Sequence, residues 1–342
     1  MSVSRSVRRK KKKLRVMRLF VLLFVFCLIG GGSYFAYDIL YNAKKASDSI
    51  FQELDPKKVA NYRDEDIKIT KDPFTVLLVG VDNQGGGGRS DVLMLATVNP
   101  KTKEVYLLSI PRDTRTYLPE VGYETKINHS YSHGGIEATI NAVSKLLDIP
   151  IDYYITTNFK GFEDIVDTLG GVTVDVPFTF KSQLTDSLKW KTFYKGKMEL
   201  NGNEALAYVR MRKKDPKGDL GRNERQQQVI KAIVDKGTSF SSITKIDDVL
   251  EKLGENVKTN IPPSKFASFI KLYTELKNKN IKHLALEGYD RYIDGVYYYV
   301  PSEESITEVS SILRSTLDSS TYTAEDHSSQ ANHVTNEHQN NW

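Results

Sequence analysis

The sequence predicts a layered α/β domain that follows one transmembrane helix. Strand-like and helix-like segments alternate through residues 73–316 without an internal repeat, which is typical of a sheet covered by helices. A run of 19 uncharged residues, Leu19–Tyr37, precedes them. Charged residues make up 27% of the 342-residue chain and apolar types 39%, so most of it can bury a core and stay soluble. This composition excludes a wholly disordered protein, a collagen-like protein and a polytopic transporter.

The uncharged run is long enough to cross a membrane. As a helix it spans about 28 Å at ~1.5 Å per residue, close to the ~30 Å hydrocarbon core. Nine basic and no acidic residues lie in residues 1–18, while the remaining chain carries 39 basic and 43 acidic residues. The positive-inside rule therefore predicts a single-pass protein of the cell membrane with a cytoplasmic basic arm and an extracellular body. A cleaved signal peptide, with Gly30–Ser33 mimicking a cleavage region, is the alternative.

The remaining domain boundaries follow from composition. Residues 38–72 mix charges with scattered apolar residues and are predicted to be a partly helical spacer before the body at 73–316. Residues 317–342 are polar and are predicted to be a disordered tail. The one cysteine, Cys27, excludes an intrachain disulfide framework and a multi-cysteine zinc site.

Within the body, short apolar runs rich in β-branched residues predict strands and 3.6-residue periodicity predicts helices. The predicted strands are Phe74–Val81, Val92–Val98, Glu104–Ile110, Tyr153–Thr157, Val172–Val176, Ile281–Ala285 and Val296–Val300. The predicted helices are Ile136–Leu147, Phe162–Leu169, Gly202–Val209, Arg222–Lys236, Ser264–Leu276 and Glu303–Leu313.

The first three strands bring acidic and basic side chains together. The connection from Asp82 to Asp91 is too short for a parallel crossover, and Asn99–Lys103 is a turn by composition, so the strands pair antiparallel. The two carboxylates and Arg112, which follows the third strand, then meet at one sheet edge. Two adjacent carboxylates repel unless a cation lies between them, and Mg²⁺ typically takes one or two of them with phosphate oxygens. Ordinary turn residues are the alternative.

A second basic cluster begins near residue 210. Arg210 and Arg212 share a face if the chain is extended there, and Arg222, Arg225 and Gln226 are expected to project from the first turns of the next helix. Guanidinium groups near a helix N-terminus suit bidentate phosphate contacts. The alternative interpretation is a solvent-exposed basic surface whose arginines pair with nearby acidic residues.

Other chemistries lack support in the sequence. GxxxxGK[ST], GxGxxG, HExxH and GxSxG are all absent, so nucleotide binding, zinc hydrolysis and triad hydrolysis are not indicated. The polar segment Lys126–Tyr131 is interpreted as ordinary loop residues that cap the helix that follows.

Several ordered motifs resemble the LytR–CpsA–Psr family of bacterial envelope proteins, and the teichoic acid transferases among them in particular. They run from about Phe74 to Lys236: LLVGVD, GRSDVLMLATVNP, LSIPRDTR, KINHSY, GGIEATINAV, LGGVTVDVP, LNGNEALAYVRMR and GRNERQQQVI. The resemblance implies a single extracytoplasmic α/β/α domain with a mixed sheet and an apolar pocket for a lipid tail.

The resemblance also implies the activity and the residues that carry it. It implies a phosphotransferase that moves an anionic glycopolymer from a polyisoprenyl pyrophosphate carrier to a peptidoglycan muramic-acid hydroxyl, with Mg²⁺ or Mn²⁺. Asp82 and Asp91 match metal-binding acids, and both are candidates for catalysis. The implied pyrophosphate contacts are Arg112, Arg210, Arg212, Arg222 and Gln226, with Arg225 and Lys126 as neighbours.

Two other functions are compatible with parts of the sequence. The basic arm is compatible with a membrane-anchored transcriptional attenuator that binds DNA. However, the arm is short and predicted cytoplasmic, while the body is net acidic and lacks a recognition-helix pattern, so no nucleic-acid partner is expected. The other rival is a wall-binding scaffold without turnover.

Overall fold

The computed structural model describes residues 50–63, 66–82, 88–212, 214–237, 256–276 and 281–318. The predicted basic arm, the membrane span Leu19–Tyr37 and nearly all of the predicted tail lie outside these ranges. Within them no helix combines the length and apolar composition that a membrane span needs.

The described strands are β1 (Phe74–Asp82), β2 (Arg89–Asn99), β3 (Glu104–Ile110), β4 (Arg115–Leu118), β5 (Tyr123–Lys126), β6 (Tyr153–Asn158), β7 (Val172–Val176), β8 (Phe180–Gln183), β9 (Trp190–Phe193), β10 (Gly196–Leu200), β11 (Val257–Thr259), β12 (Ile281–Ala285), β13 (Gly288–Ile293) and β14 (Val296–Pro301). The α-helices are α1 (Ser130–Leu147), α2 (Phe159–Thr168), α3 (Gly202–Arg210), α4 (Asp219–Gly237), α5 (Phe266–Leu276) and α6 (Glu303–Leu317). Short 3₁₀ helices precede α1 and α5.

The central sheet is mixed, as predicted. Its order is β11-β6-β1-β2-β3-β12. The β1–β2 and β2–β3 pairs are antiparallel, whereas β1–β6 and β3–β12 are parallel. The tight turn between β2 and β3 brings Asn99 opposite Glu104. The predicted chain reversals therefore exist, and the ends of β1 and β3 lie at the same edge as the start of β2.

Alternation along the strands directs apolar side chains to both faces of the sheet. Leu77, Val79 and Leu95 pack on one face with Ile140 of α1 and Leu313 of α6. On the opposite face, residues of β1, β2 and β6 pack with α5; they include Phe74, Val76, Val98, Tyr153 and Leu272. Helices thus cover both faces, which gives the three-layer arrangement.

A second apolar core lies beside the sheet. It joins α2, α3 and α4 to two small antiparallel sheets, β7–β10 and the hairpin β8–β9. Residues such as Val172, Phe193 and Tyr208 form the contacts. Asn201 with Glu204 three residues later is a sequence pattern typical of a helix start. Helix α3 begins there with a capping box, because Asn201 and Glu204 each bond the other's backbone N–H. This core holds α4 through Val229, Ala232 and Ile233, and so fixes the helix whose first turns carry Arg222, Arg225 and Gln226.

The segment expected to be a spacer packs against the domain where it is described. Leu54 and Val59 join the core on the α1 side, and Ile67 joins the core beneath α5. Arg63 forms an ion pair with the buried carboxylate of Asp152. The folded unit therefore includes residues 50–63 and 66–72, because their apolar side chains join the cores on both faces of the sheet.

Candidate functional site

Asp91 lies inside β2 rather than before it, which corrects the predicted start of that strand at Val92. Val81 pairs with Ser90 and Gly80 pairs with Val92, so Asp91 is the extra residue of a β-bulge. A bulge bends its strand and redirects a side chain, a feature that apolar alternation does not reveal. Asp82, at the end of β1, pairs with Arg89, two residues before Asp91. The two acids therefore share one sheet edge.

Arg112 connects this edge to the next acid along the chain. Its Nη1 donates to Asp91 Oδ1 at 2.9 Å, and its Nε lies 3.5 Å from Asp113 Oδ2. Asp113 Oδ1 accepts a 2.7 Å hydrogen bond from Lys126 Nζ. Acidic and basic groups thus alternate from Asp91 to Lys126. Each carboxylate neutralises its neighbours and fixes the direction in which the Arg112 guanidinium points.

A large cavity opens between the sheet and helices α4 and α5. Its volume is about 1160 Å³, above the roughly 300–1,000 Å³ of most small-molecule pockets. Its inner wall is mostly apolar and includes Leu78, Ala96, Val105, Leu107, Ile230, Val234, Ile281 and Leu284. Such a space suits a long hydrocarbon chain.

Three guanidinium-bearing residues line the same cavity. Arg112 comes from the segment after β3, Arg212 from the segment after α3, and Arg222 from the first turns of α4. Lys217 also lines it. The structure therefore brings together two basic clusters that lie about 100 residues apart in the sequence. An apolar chamber with guanidinium groups on its wall suits an amphiphile that carries phosphate.

Two other predicted phosphate contacts take different positions among the described residues. Arg210 is exposed at the end of α3, with its guanidinium carbon 4.5 Å from the centre of the Phe159 ring. Gln226 is half-buried on α4. Neither is among the described residues that line the cavity.

Arg225 does not project from α4 as predicted. Its side chain is 2% exposed and forms an ion pair with Asp215. It also donates to the carbonyl oxygens of Tyr208 and Met211. The reason is helical phase: Arg225 lies four residues before the buried Val229 and so faces the core with it. Arg225 ties α4 to the chain between α3 and α4, on which Arg212 lies.

Asp82 and Asp91 are the two acidic side chains that the sequence assigns to a divalent cation. No group of three or more His, Cys, Asp or Glu side chains that could hold a metal occurs within the described ranges. Asp82 and Asp91 share an edge, and one oxygen of Asp91 already accepts from Arg112. Two carboxylates fit the way Mg²⁺ binds when phosphate oxygens complete its shell.

His129 lies in the same region, immediately before α1. Its Nδ1 lies 3.1 Å from Thr125 Oγ1. Burial, and then the positive charges of Arg89 and Lys126, lower the pKa of the imidazole from its ordinary 6.5. The ring is therefore held towards its neutral form.

The sequence did not single out several residues that complete the cavity wall. Gln227 lines it and donates to Ser109 Oγ at 2.7 Å. Asp290, Tyr297 and Tyr299, from the β13–β14 hairpin, line it near Arg112 and Asp113. The run of three tyrosines at 297–299 is a sequence feature that could have pointed to this hairpin. It lies beyond the segment that carries the family motifs.

A family model and a curated relative match most of the chain. The model of the LytR_cpsA_psr family matches residues 37–315. The polyisoprenyl-teichoic acid–peptidoglycan teichoic acid transferase TagU of Bacillus subtilis is 42% identical over 318 residues, covering 92% of this chain and 99% of that protein.

Solved structures are similar over most of the chain. The crystal structure of B. subtilis TagV has a TM-score of 0.65 at 42% identity, covering 75% of this chain and 100% of that one. The structure of TagT bound to LI-WTA has a TM-score of 0.64 at 34% identity, covering 78% and 99%.

Proposed function

This chain belongs to the LytR–CpsA–Psr family, and from that premise we propose that it is a phosphotransferase that attaches an anionic glycopolymer of the teichoic acid type to peptidoglycan. The donor is the glycopolymer linked to a polyisoprenyl pyrophosphate. The observation that carries the proposal is the cavity of about 1160 Å³, whose lining combines many apolar residues with the side chains of Arg112, Arg212 and Arg222.

The cavity accounts for both ends of such a donor. The apolar wall between the sheet and α4 removes an isoprenoid chain from water, and each buried methylene contributes roughly 0.8 kcal/mol to binding. The guanidinium groups of Arg112, Arg212 and Arg222 contact the diphosphate, which is the part of the donor that carries charge next to the lipid. One site thus selects for a lipid and a diphosphate together.

The reaction proposed for this site is a single phosphoryl transfer. A muramic-acid hydroxyl attacks the phosphorus atom that bears the glycopolymer, and the P–O bond to the polyisoprenyl phosphate breaks. The products are a glycopolymer–peptidoglycan phosphodiester and polyisoprenyl phosphate, with the hydroxyl proton passing by way of a base to the leaving phosphate or to solvent. Because such transfers depend on positioning and charge neutralisation, fixed guanidinium groups are the expected catalytic apparatus.

Arg112 holds the central position in this scheme. Asp91 and Asp113 bind its guanidinium from two sides, at 2.9 and 3.5 Å. These contacts keep the donors oriented before the substrate arrives, so little reorganisation is needed as charge develops on the transferred phosphate.

A divalent ion completes the proposal. Asp82 and Asp91 would hold Mg²⁺, or Mn²⁺, together with diphosphate oxygens. When bound, the ion would supply charge neutralisation on the transferred phosphate. Asp82 and Asp91 are also candidates for accepting the proton of the attacking hydroxyl.

The predicted span Leu19–Tyr37 would anchor the protein in the cell membrane, with the catalytic domain on the outer side. A tethered enzyme and a lipid-linked donor then share one surface, which raises their effective concentration.

The proposal is tested by reconstitution of the full chain in detergent. The chain is incubated with a polyisoprenyl pyrophosphate-linked saccharide, a peptidoglycan oligomer and Mg²⁺, with and without a chelator. Covalent attachment of the saccharide with release of polyisoprenyl phosphate is expected. A scaffold without turnover would bind the oligomer and leave the donor intact.

A further inference from the structure

Two hairpins beside Arg112 present tyrosine side chains to solvent. The β4–β5 hairpin buries Thr116 and Thr125 on one face. Its other face therefore carries Tyr117 and Lys126, because side chains alternate along each strand. Tyr117 is 42% exposed. This face extends from solvent to the ion pair between Lys126 and Asp113.

The β13–β14 hairpin continues the same surface. Lys126 Nζ lies 5.7 Å from the centre of the Tyr297 ring. Tyr297 in turn meets Tyr292 edge to face, with ring centroids 5.7 Å apart, and its hydroxyl donates to Asp290 at 2.7 Å. Tyr292 is 74% exposed. We call the series Tyr117, Lys126, Tyr297 and Tyr292 the tyrosine track.

The track is attached directly to the candidate site. The backbone N–H of Tyr299 donates to the carbonyl oxygen of Asp113 at 2.9 Å, which joins β14 to the segment carrying Arg112. Tyr297 itself lines the cavity, as do Arg112, Arg212 and Arg222. A molecule that lies along the track therefore reaches the phosphate-contacting groups near the middle of the series, at Lys126 and Tyr297.

Charges along the track are paired with neighbouring groups. Arg115 pairs with Glu124 on the β4–β5 face, and Lys126 pairs with Asp113. Locally paired charges favour a ligand without a dense charge of its own. The track therefore suits a different substrate from the lipid-linked donor that the apolar cavity suits.

We infer that the tyrosine track is the docking surface for the acceptor, a peptidoglycan glycan strand. This inference rests on the proposed transferase function. Flat, exposed rings with hydroxyl groups present an apolar face and a polar tip, which match the apolar faces and hydroxyls of sugar rings. The track involves two hairpins and so fits a polymer better than a single sugar. Its middle lies beside the segment that carries Arg112, which places an acceptor hydroxyl beside the diphosphate.

The test compares acceptor and donor kinetics in the full chain. Tyr292→Ala and Tyr117→Ala are each expected to raise the KM for a peptidoglycan oligomer at least about fivefold, the scale of a lost aromatic contact, and to leave the donor KM unchanged. Tyr292→Phe retains the ring and is expected to stay within about twofold of the wild type. Tyr194→Ala, which removes a tyrosine that is 64% exposed in the β9–β10 turn, is the matched control.

Two outcomes would overturn the inference. An unchanged acceptor KM in both alanine variants would remove the track from acceptor binding, and an equal rise in the donor KM would assign it to the donor saccharide instead. Equilibrium binding of the oligomer to each variant separates this result from failure of the transferase proposal. If the wild type shows no turnover but binds the oligomer in a tyrosine-dependent way, the track stands and the transferase proposal fails.

Discussion

Asp91 accepts a hydrogen bond of 2.9 Å from Arg112, although the two residues belong to separate segments of the chain. The contact exists because β1, β2 and β3 reverse direction twice and because a bulge places Asp91 outside the regular register of β2. It brings an acid proposed to bind a metal ion against the guanidinium proposed to contact the diphosphate. Substitutions at these and nearby residues separate the two roles from each other and from the stability of the fold.

The metal role of Asp91 is tested with Asp91→Asn. The amide oxygen can still accept from Arg112, so the variant removes charge while it preserves that hydrogen bond. Changes even in the outer shell of a metal site cost roughly 10–100-fold in affinity, so half-activation by Mg²⁺ is expected to require at least about tenfold more ion. The measurement is transfer rate against Mg²⁺ concentration in the full chain. An unchanged activation curve would remove Asp91 from the ligand set.

The lipid role of the cavity is tested with Ala96→Phe. Ala96 lies on β2 and lines the cavity, so an added ring occupies space that the proposed isoprenoid chain needs. The kcat/KM for a long-chain donor is expected to fall at least about tenfold, the equivalent of roughly two lost methylene contacts. A short-chain, water-soluble donor serves as the control and is expected to lose less than about threefold by the same reasoning. Equal losses for both donors would contradict lipid binding in this cavity.

The structural role of Arg225 is tested by unfolding. Arg225 and Asp215 are each 2% exposed, so Arg225→Ala leaves a buried carboxylate without its main cation. Removing one partner of a buried ion pair typically costs about 3–5 kcal/mol, and a fall of that size in the free energy of unfolding is expected. Denaturant titration measures it.

The matched control for this measurement is Arg314→Ala. Arg314 pairs with Asp148 at 2.8 Å in a largely exposed position. Its loss is expected to change the free energy of unfolding by less than about 1 kcal/mol. Similar losses in the two variants would show that Arg225 does not tie the basic cluster to the core.

His129 predicts a pH dependence of stability. Because its pKa is lowered in the folded protein, the unfolded chain binds the proton first as the pH falls through 6.5. The free energy of unfolding therefore falls on acidification, and below the folded pKa this loss is complete. The positive charge of His133 adds to the effect, and Asp113 opposes it.

The variant for this prediction is His129→Asn, which does not titrate. Its free energy of unfolding is expected to fall less than that of the wild type between pH 7.5 and pH 5.5. Equal pH dependence in the two proteins would show that the imidazole is not held neutral by its surroundings.

Local sequence predicted those features of the fold that depend on neighbouring residues. The turn at Asn99–Lys103, the capping box of α3 and the positions of the main strands along the chain depend on nearby side chains and apolar periodicity, and all three are present. Placing Asp82, Asp91 and Arg112 at one edge followed from the same short connections.

Long-range packing was harder to predict. Arg225 is buried because Asp215 and two carbonyl oxygens surround it, and these contacts form only when α3 and α4 pack. The tyrosine track joins residues near 120 to residues near 297, and apolar periodicity gives no information about such a pairing. The small hairpins are short and only partly buried, so their alternation is weak.

The most direct measurement of the central claim is the transfer rate of Arg112→Ala in the full chain, with donor, peptidoglycan oligomer and Mg²⁺ at saturating concentrations. Loss of one preorganised electrostatic donor is expected to lower the rate at least about 10²-fold. Arg314→Ala, which removes a guanidinium on the opposite face of the sheet, is expected to retain the wild-type rate. Near-normal transfer by Arg112→Ala would contradict a mechanism in which this guanidinium stabilises the diphosphate.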